Sequence, residues 1–244
     1  MTEVFGLSDV GCLRELNEDS FCVHGFENGT EKGFCIIADG MGGHNAGEVA
    51  SQNAVKFIAE DLMISLDEAS TDIPGKLREA VEKANGKVYE MSKANIVQSG
   101  MGTTVVLCYI DNSTAYIANV GDSRAYAIRN DEIVRITVDH SVVEEMVLRG
   151  SITREEARNH PRKNIITRAV GTDFEVMTDI FEYSYSKGDM MILCSDGLCN
   201  MIYDDEILSM CKTGKNAEDI CKGLVKAAKD NGGLDNITVV CICF

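Results

Sequence analysis

Short apolar segments typical of β-strands follow one another in groups, and this order constrains the fold more than any other feature. Residues 102–110 (GTTVVLCYI), 114–120 (TAYIANV) and 123–129 (SRAYAIR) succeed one another with turn signals at Asp111-Asn112 and Gly121-Asp122. We interpret the three segments as a meander of antiparallel hairpins. A doubly wound parallel sheet requires regular alternation of strand and helix, which is missing here.

Helical patterns lie on either side of these strands. One buried helical face is predicted from Leu77, Ala80, Val81, Ala84, Val88 and Met91. An earlier helix is expected from near His44 to about Ser65, and Asn216 is expected to cap a late helix. Grouped strands with helices before and after them favour an α+β fold, in which two sheets pack face to face beneath outer helices.

Length and charge favour one domain that binds neither nucleic acid nor membrane. The chain has 244 residues, two prolines and no Ser- or Gly-rich linker, so residues 1–244 are expected to form a single domain and, without any oligomer signal, a monomer. Residues 140–162 look like two short, charged helical pieces inserted between strands. The net charge of −16 repels nucleic acid and anionic lipids. Charge alone leaves open whether the carboxylates only solubilise the protein or also hold divalent cations.

Cysteine usage and the first residues favour the cytoplasm. Most of the ten cysteines lie in apolar strand-like runs, where Cys acts as a small hydrophobe, and the absence of a CxxC pair disfavours a zinc site. The opening MTEVFGLSDV lacks the basic and apolar regions of a signal peptide. No segment reaches about 18 consecutive apolar residues. We therefore expect a reduced, cytoplasmic protein.

Four aspartates stand at the ends of strand-like runs. Asp39 follows FCIIA, Asp122 follows TAYIANVG, Asp196 follows MMILCS, and Asp235 precedes NITVVCICF. Strand ends of a sandwich meet at one edge, so the four carboxylates are expected to converge. Converging carboxylates repel one another unless a cation neutralises them, and oxygen ligands suit Mg²⁺ or Mn²⁺. Each Asp-Gly taken alone is also an ordinary turn signal.

Six segments, in order along the chain, carry a more specific signal. They are SDVGCLRELNEDS (8–20), ADGMGGHNAGEVAS (38–51), GTT (102–104), NVGDSRAY (119–126), CSDGL (194–198) and GLDNITVV (233–240). This series resembles the motifs of the metal-dependent Ser/Thr protein phosphatases of type 2C, and residues 139–171 resemble the version in bacterial members. The resemblance implies a four-layer α-β-β-α sandwich with a helical flap at about 139–171. It also implies metal-activated hydrolysis of phosphoserine and phosphothreonine in proteins, which counteracts a bacterial Ser/Thr protein kinase.

The resemblance implies a cofactor of two core Mn²⁺ or Mg²⁺ ions, with a third in bacterial members. Its implied metal ligands are Glu18, Asp19, Asp39, Gly40, Asp122, Asp196 and Asp235. Asp39 would bridge the core ions, and Asp196 and Asp235 would complete the protein ligands of the first. Two ions roughly 3.5–4 Å apart lower the pKa of a bridging water and stabilise the attacking and leaving oxygens.

The remaining implied roles concern the second ion, the third ion and the phosphate. The Gly40 carbonyl would bind the second ion, with Glu18 and Asp19 nearby, partly through water. Asp122, together with Asp196, would hold the third. Arg14 matches the arginine that grips the substrate phosphate, a task suited to its planar pair of donors. The catalytic set implied by the resemblance is Arg14, Asp39, Asp196 and Asp235.

The group that protonates the leaving oxygen stays open at this stage. Animal members of the family carry a histidine directly after the first Asp-Gly, whereas this chain has Met41 there. His44, three residues further on, is one candidate, and a metal-bound water is the other. His140 and His160 frame the insertion and are expected to be structural or flap residues.

Two functions from other classes compete with the enzyme. A pseudophosphatase would bind phosphoproteins without turnover, but it would be expected to have lost metal ligands, and Asp39, Asp122, Asp196 and Asp235 are all present. An acidic metal-binding sensor would leave Arg14 and the insertion unexplained. The expected partners of the enzyme are phosphorylated proteins, including a Ser/Thr protein kinase and its substrates.

Overall fold

The computed structural model describes residues 2–26, 32–43, 46–65, 72–94 and 98–244 of the protein. Its strands are β1 (Glu3–Asp9), β2 (Asp19–His24), β3 (Gly33–Met41), β4 (Gly102–Thr103), β5 (Val105–Asp111), β6 (Thr114–Val120), β7 (Arg124–Arg129), β8 (Glu132–Arg135), β9 (Asp179–Ser184), β10 (Met190–Cys194) and β11 (Ile237–Cys243). Its helices are α1 (Ala46–Ser65), α2 (Ile73–Ala94), α3 (Val142–Leu148), α4 (Arg154–Arg158), α5 (Asp196–Cys199), α6 (Asp204–Thr213) and α7 (Ala217–Asp230).

The strands form two antiparallel sheets. The first sheet has the order β1-β11-β10-β7-β8, and the second has the order β2-β3-β5-β6-β9, with β4 paired to the end of β3. The first and last strands of the chain pair over their whole length, from Glu3 opposite Cys243 to Asp9 opposite Ile237. The predicted α+β architecture of two antiparallel sheets is confirmed.

Three apolar layers hold the sandwich together. The central layer lies between the sheets and includes Ile37, Val106, Leu193 and Val240. Helices α1 and α2 cover the outer face of the second sheet, and α6 and α7 cover that of the first. The inner strands are buried on both faces: in β5, Val106 faces the other sheet while Leu107 packs towards the helices. This double burial explains the continuous apolar runs in the sequence.

The predicted meander is wrong at one point. Strands β5 and β6 form a hairpin, but β6 and β7 lie in different sheets, so the chain crosses between the sheets at Gly121. Gly121 has a φ of 105°, which side-chain-bearing residues rarely adopt, and a Cβ there would meet the side chain of Thr104 at 2.6 Å. Turn residues mark a hairpin and a crossover alike, so the local pattern could not separate the two.

The helices largely follow their sequence signals. The predicted face of α2 is buried from Leu77 to Val88, and Asn216 caps α7 by accepting a hydrogen bond from the backbone N–H of Asp219 at 2.8 Å. Helices α3 and α4 fall within the expected insertion. Helix α1 is described from Ala46, and the expected start near His44 lies outside the described residues. In the described part of the chain, none of the helices is long and apolar enough to cross a membrane.

Candidate active site

Five aspartates come together at one end of the sandwich: Asp19, Asp39, Asp122, Asp196 and Asp235. Asp19 opens β2 and lies opposite Asp39 in the β2–β3 ladder. Asp196 opens α5 directly after β10, while Asp122 and Asp235 lie in the connections that lead into β7 and β11. Each carboxylate therefore lies in or directly beside a strand or helix end, as the strand-end pattern predicts.

A cavity of about 290 Å³ opens among them. The predicted site residues that border it are Arg14, Glu18, Asp39, Gly40, Asp122, Asp196 and Asp235. Asp19 is buried and does not border the cavity. His44 lies outside the described residues. Gly40 is closely enclosed, because a Cβ there would collide with the carbonyl oxygens of Gly47 and Glu18.

Burial and mutual repulsion oppose the ionisation of these carboxylates. Burial raises the pKa of Asp39 well above its usual range, and repulsion from the other four aspartates raises it further. The same two causes, in the same order, raise the pKa of Asp122 and of Asp196. The pKa of Asp19 rises to about 7, mainly through burial. A divalent cation would reverse this preference, since it stabilises the ionised form.

The polar groups of the site fit a hard cation. Glu18 Oε1 and Asp19 Oδ1 are buried and lack a hydrogen-bond partner among the described residues. A buried carboxylate oxygen without a donor is costly unless a cation binds it. No group of three or more His, Cys, Asp or Glu side chains in the described ranges is drawn together tightly enough to hold an ion. Mg²⁺ is commonly bound through one or two carboxylates and keeps several of its waters.

Arg14 stands at the mouth of the cavity. Its Nη2 donates a hydrogen bond of 2.8 Å to Asp235 Oδ2, and its Nη1 lies 4.0 Å from Glu18 Oε2. The side chain is 48% exposed, so part of the guanidinium remains open to a ligand from solvent. A planar guanidinium is suited to the oxygens of a phosphate.

A comparison with known protein families decides the identity of this site. The model of the protein phosphatase 2C family matches residues 7–146. The chain belongs to the protein phosphatase 2C family. The serine/threonine phosphatase Stp of Listeria innocua is 37% identical over 240 residues, which cover 96% of this chain and 93% of that protein. The chain is accordingly a protein serine/threonine phosphatase of a metal-dependent family.

Solved structures agree with this assignment. The serine/threonine phosphatase Stp1 from Staphylococcus aureus superposes with a TM-score of 0.89 and 38% identity, and the match covers 100% of this chain and 95% of that one. The catalytic domain of the phosphatase PstP, solved in complex with two manganese ions, gives a TM-score of 0.86 and 33% identity, with 99% and 97% covered.

The sequence did not reveal the polar residues that bond to the carboxylates of the candidate site. Asp19 Oδ2 accepts hydrogen bonds from Ser195 Oγ at 2.8 Å and from Thr238 Oγ1 at 2.6 Å. Both hydroxyls are fully buried: Thr238 lies in β11 of the other sheet, and Ser195 directly follows β10 of that sheet. They fix the carboxylate of Asp19 so that its second oxygen is left without a partner. The only sign of this role in the sequence is that Ser195 precedes Asp196 and that Thr238 lies in the last motif, residues 233–240.

Asn236 is another residue whose role the sequence did not reveal. Its Nδ2 donates to the carbonyls of Val10 and Leu16 at 2.9 and 3.0 Å, and its Oδ1 accepts from the backbone N–H of Glu18 at 2.8 Å. The segment from Val10 to Glu18 carries Arg14 and has no regular secondary structure of its own. Asn236 therefore holds the segment that carries Arg14 against the start of β11.

The histidines described in the phosphatase lie away from the catalytic cavity. His24, His140 and His160 do not border it, whereas Met41 does. His140 is buried and bonded to Gly121 and Asp179, in agreement with its expected structural role. Among the described residues the cavity thus offers no imidazole for proton transfer.

Proposed function

We propose that this phosphatase works through two divalent cations, Mn²⁺ or Mg²⁺, held by Asp39, Asp196 and Asp235. The observation that carries the proposal is the cluster of buried carboxylates whose ionisation needs a positive charge nearby. Asp39 is assigned as the bridge between the ions because repulsion from all four other aspartates acts on it. Asp196 and Asp235 complete the protein ligands of the first ion.

The second and third ions use the rest of the cluster. The Gly40 carbonyl serves the second ion, with Glu18 and Asp19 nearby, and this is supported by their two unpartnered oxygens. Asp122 and Asp196 hold a third ion, which is supported by their mutual repulsion. Loss of either carboxylate should therefore weaken the binding of the third ion.

The residues of the chain bind the substrate and orient it. Bound cations supply a water of lowered pKa and neutralise charge on the phosphoryl group during in-line displacement. Arg14 exchanges its bond to Asp235 for two phosphate oxygens and holds the phosphoryl group in one orientation. Met41, at the rim of the cavity, has no proton to give, so His44 and a water that a bound cation would hold are the two candidates left to protonate the leaving oxygen.

The biological setting follows from the activity. Residues 1–244 act as a single catalytic domain with the flap at about 139–171, and the enzyme works as a monomer on phosphoproteins that a Ser/Thr protein kinase produces. A cytoplasmic location is supported by the ten cysteines, all of which are free thiols, because disulfides are rare in the reducing cytosol.

Substitution of Asp39 by alanine tests the metal assignment. With Mn²⁺ and a phosphothreonine peptide, Asp39→Ala should lower kcat/KM by more than about 100-fold, beyond the effect of losing a residue that only supports a ligand. The variant should stay folded by circular dichroism, and a chelator should abolish the activity of the parent enzyme.

Asp230→Ala, an exposed aspartate at the end of α7, is the matched control and should turn over normally. Near-normal rates for Asp39→Ala would refute the bridging role. Failure of the metal-loaded parent enzyme to hydrolyse any phosphopeptide would favour a module that only binds phosphoproteins.

A further inference from the structure

A second cavity adjoins the catalytic one beneath the flap helices. It measures about 700 Å³ and lies between α3 and α4 on one side and α5 and the start of α6 on the other. This flap cavity shares Asp122 and Asp196 with the catalytic cavity, so the two form one continuous surface beside the phosphate position. The hydrolytic step itself needs no space of this size.

Three arginines that line the flap cavity are already paired with carboxylates. Arg124 donates three hydrogen bonds to the carboxylate of Asp139, at 2.7–3.1 Å. Arg135 bonds to Asp139 at 3.3 Å and to Glu144 at 2.9 Å, and Arg154 donates to both oxygens of Glu144 at 3.2 Å. A ligand would have to break these ion pairs before it could use their positive charge.

The last arginine of the cavity is bound by the backbone. Arg158 donates to the carbonyls of Cys199 and Ile202 at 2.8 and 3.1 Å, and its guanidinium lies 3.9 Å from the centre of the Tyr203 ring. The remaining cation that lines the cavity, Lys163, is near enough to Asp196 to oppose the rise in the pKa of that carboxyl. Four of the five cations that line the flap cavity are thus held by carboxylates or by backbone carbonyls.

The unengaged charges near the opening are negative. Glu155 of α4 and Asp204 and Asp205 of α6 all border the cavity and are exposed. None of the three forms an ion pair with another described residue. Asp205 accepts only the backbone N–H of Glu206, at 3.0 Å. An approaching chain therefore meets a rim of three exposed carboxylates on the cavity that adjoins the catalytic one.

We propose that the flap cavity is a subsite for a lysine or arginine side chain that flanks the phosphorylated residue of the substrate. The inference rests on the proposed phosphatase function and names its substrate class: basic phosphopeptides. In an extended peptide, side chains two positions apart point the same way and stand about 7 Å apart, so a phosphate and a nearby basic group can enter adjoining cavities together. The aliphatic stem of a basic side chain suits Val143, Val147 and Ala157, which line the flap side.

Matched phosphothreonine peptides test the subsite. Two peptides differ only in carrying Lys or Glu two residues from the phosphothreonine, and kcat/KM is measured on both with saturating Mn²⁺. The three exposed carboxylates together should favour the Lys peptide by about tenfold. The rim variant Glu155→Gln/Asp204→Asn/Asp205→Asn should reduce that preference to within about twofold, as should 0.5 M salt.

Two controls keep the outcome specific. Hydrolysis of p-nitrophenyl phosphate, which has no flanking residue, should be unchanged in the rim variant. Glu82→Gln/Glu90→Gln/Glu175→Gln removes the same charge from exposed positions that border neither cavity, and it should keep the Lys preference.

Equal kcat/KM for the two peptides in the parent enzyme would overturn the subsite while leaving the phosphatase function intact. A preference that survives in the rim variant, or loss of p-nitrophenyl phosphate turnover there, would also overturn it. Absence of turnover on every substrate by the parent enzyme would instead strike at the phosphatase function itself.

Discussion

Two carboxylates of the candidate active site lie where their charges destabilise the fold. Asp19 and Asp39 face each other across two paired strands, an arrangement in which like charges destabilise a sheet. Burial adds to the cost of ionising them. Departures of this kind are expected at functional sites, and here a cation would turn the repulsion into binding.

Arg14 offers a test at this scale, because the conservative change keeps its charge. Arg14→Lys removes the planar pair of donors, and losing a hydrogen bond to a charged group costs ~1.5–3 kcal/mol, so kcat/KM on phosphopeptides should fall roughly 10- to 100-fold. Affinity for Mn²⁺, measured by calorimetry, should change little. Arg78→Lys, on the exposed side of α2, should have no effect. A full rate in Arg14→Lys would show that the phosphate is held by other groups.

At the scale of elements, several residues of the candidate site lie in connections between strands. Hydrogen bonds to the rest of the fold keep these connections in place. The segment from Val10 to Glu18 reaches the cavity only because Asn236, at the base of β11, bonds to three of its backbone groups. The crossover at Gly121 reaches it because His140 accepts from the Gly121 N–H and donates its own backbone N–H to the Gly121 carbonyl. Asn236 is 218 residues from Glu18 along the chain, and His140 is 19 residues from Gly121.

Removing the side chain of Asn236 should loosen the first connection. Asn236→Ala leaves three backbone groups without their partner, and we expect a loss of ~2–4 kcal/mol in the free energy of unfolding, measured in urea. The rate on phosphopeptides should fall as well, because Arg14 loses its support. Asn231→Ala breaks one exposed bond to Met201 and should cost less than ~1 kcal/mol. Equal costs for the two variants would contradict the anchoring role.

The second connection should respond to pH through His140. Its Nδ1 accepts from Gly121 at 3.0 Å and its Nε2 lies 3.2 Å from Asp179 Oδ2, so the bonded form is neutral. Desolvation lowers the pKa of His140, although Asp179 opposes the shift, and Arg168 and Asp139 are the other charges near it. The unfolded chain thus takes up a proton more readily than the folded one.

Stability from this source is full above about pH 6.5 and is lost as pH falls through the lowered pKa of His140, by at most ~1.4 kcal/mol per pH unit. His140→Asn keeps an acceptor for Gly121 but does not titrate. Its free energy of unfolding should therefore fall less between pH 7 and pH 5 than that of the parent. His24→Asn, at an exposed position, should match the parent. Parallel profiles for His140→Asn and the parent would refute the role of His140.

Over the whole molecule, distant parts of the sequence combine to form each layer. The first sheet joins the two ends of the chain with its middle, and the layer between the sheets draws on β3, β5, β10 and β11. Sulfur is common in this interior: Cys35, Cys108, Cys194 and Cys241 are fully buried. Such thiols act as small apolar groups, and burial raises the pKa of Cys108 and Cys35 above the ordinary range.

Thiol reactivity should report on this packing. Cys12 is the exposed cysteine, and the other nine are buried or half-buried. A thiol reagent at neutral pH should label about one equivalent quickly in the native protein and all ten in denaturant, because a thiolate must reach solvent to react. Cys12→Ser should remove the fast phase. Several fast equivalents in the native protein would contradict the packing.

Most residues of the candidate site could be predicted from the sequence, because they belong to local motifs. Asp39, Asp196 and Asp235 each end or precede an apolar run, and they lie together as that pattern predicts. The partners of Asp19 could not be predicted, since Ser195 and Thr238 are more than 170 residues away along the chain. The crossover at Gly121 was mistaken for a hairpin because both use the same turn residues.

The sequence by itself determined the strand and helix types, the α+β class, the family resemblance and the carboxylates of the site, because periodicity and motifs are local properties. Only the tertiary structure decided which strands share a sheet and how Asn236 and His140 hold the connections. It also decided that the flap cavity adjoins the cavity of the aspartates, with its arginines bonded to carboxylates or carbonyls and with Glu155, Asp204 and Asp205 outside any ion pair with a described residue. These depend on contacts between residues far apart in the chain, and such contacts leave no local pattern to read.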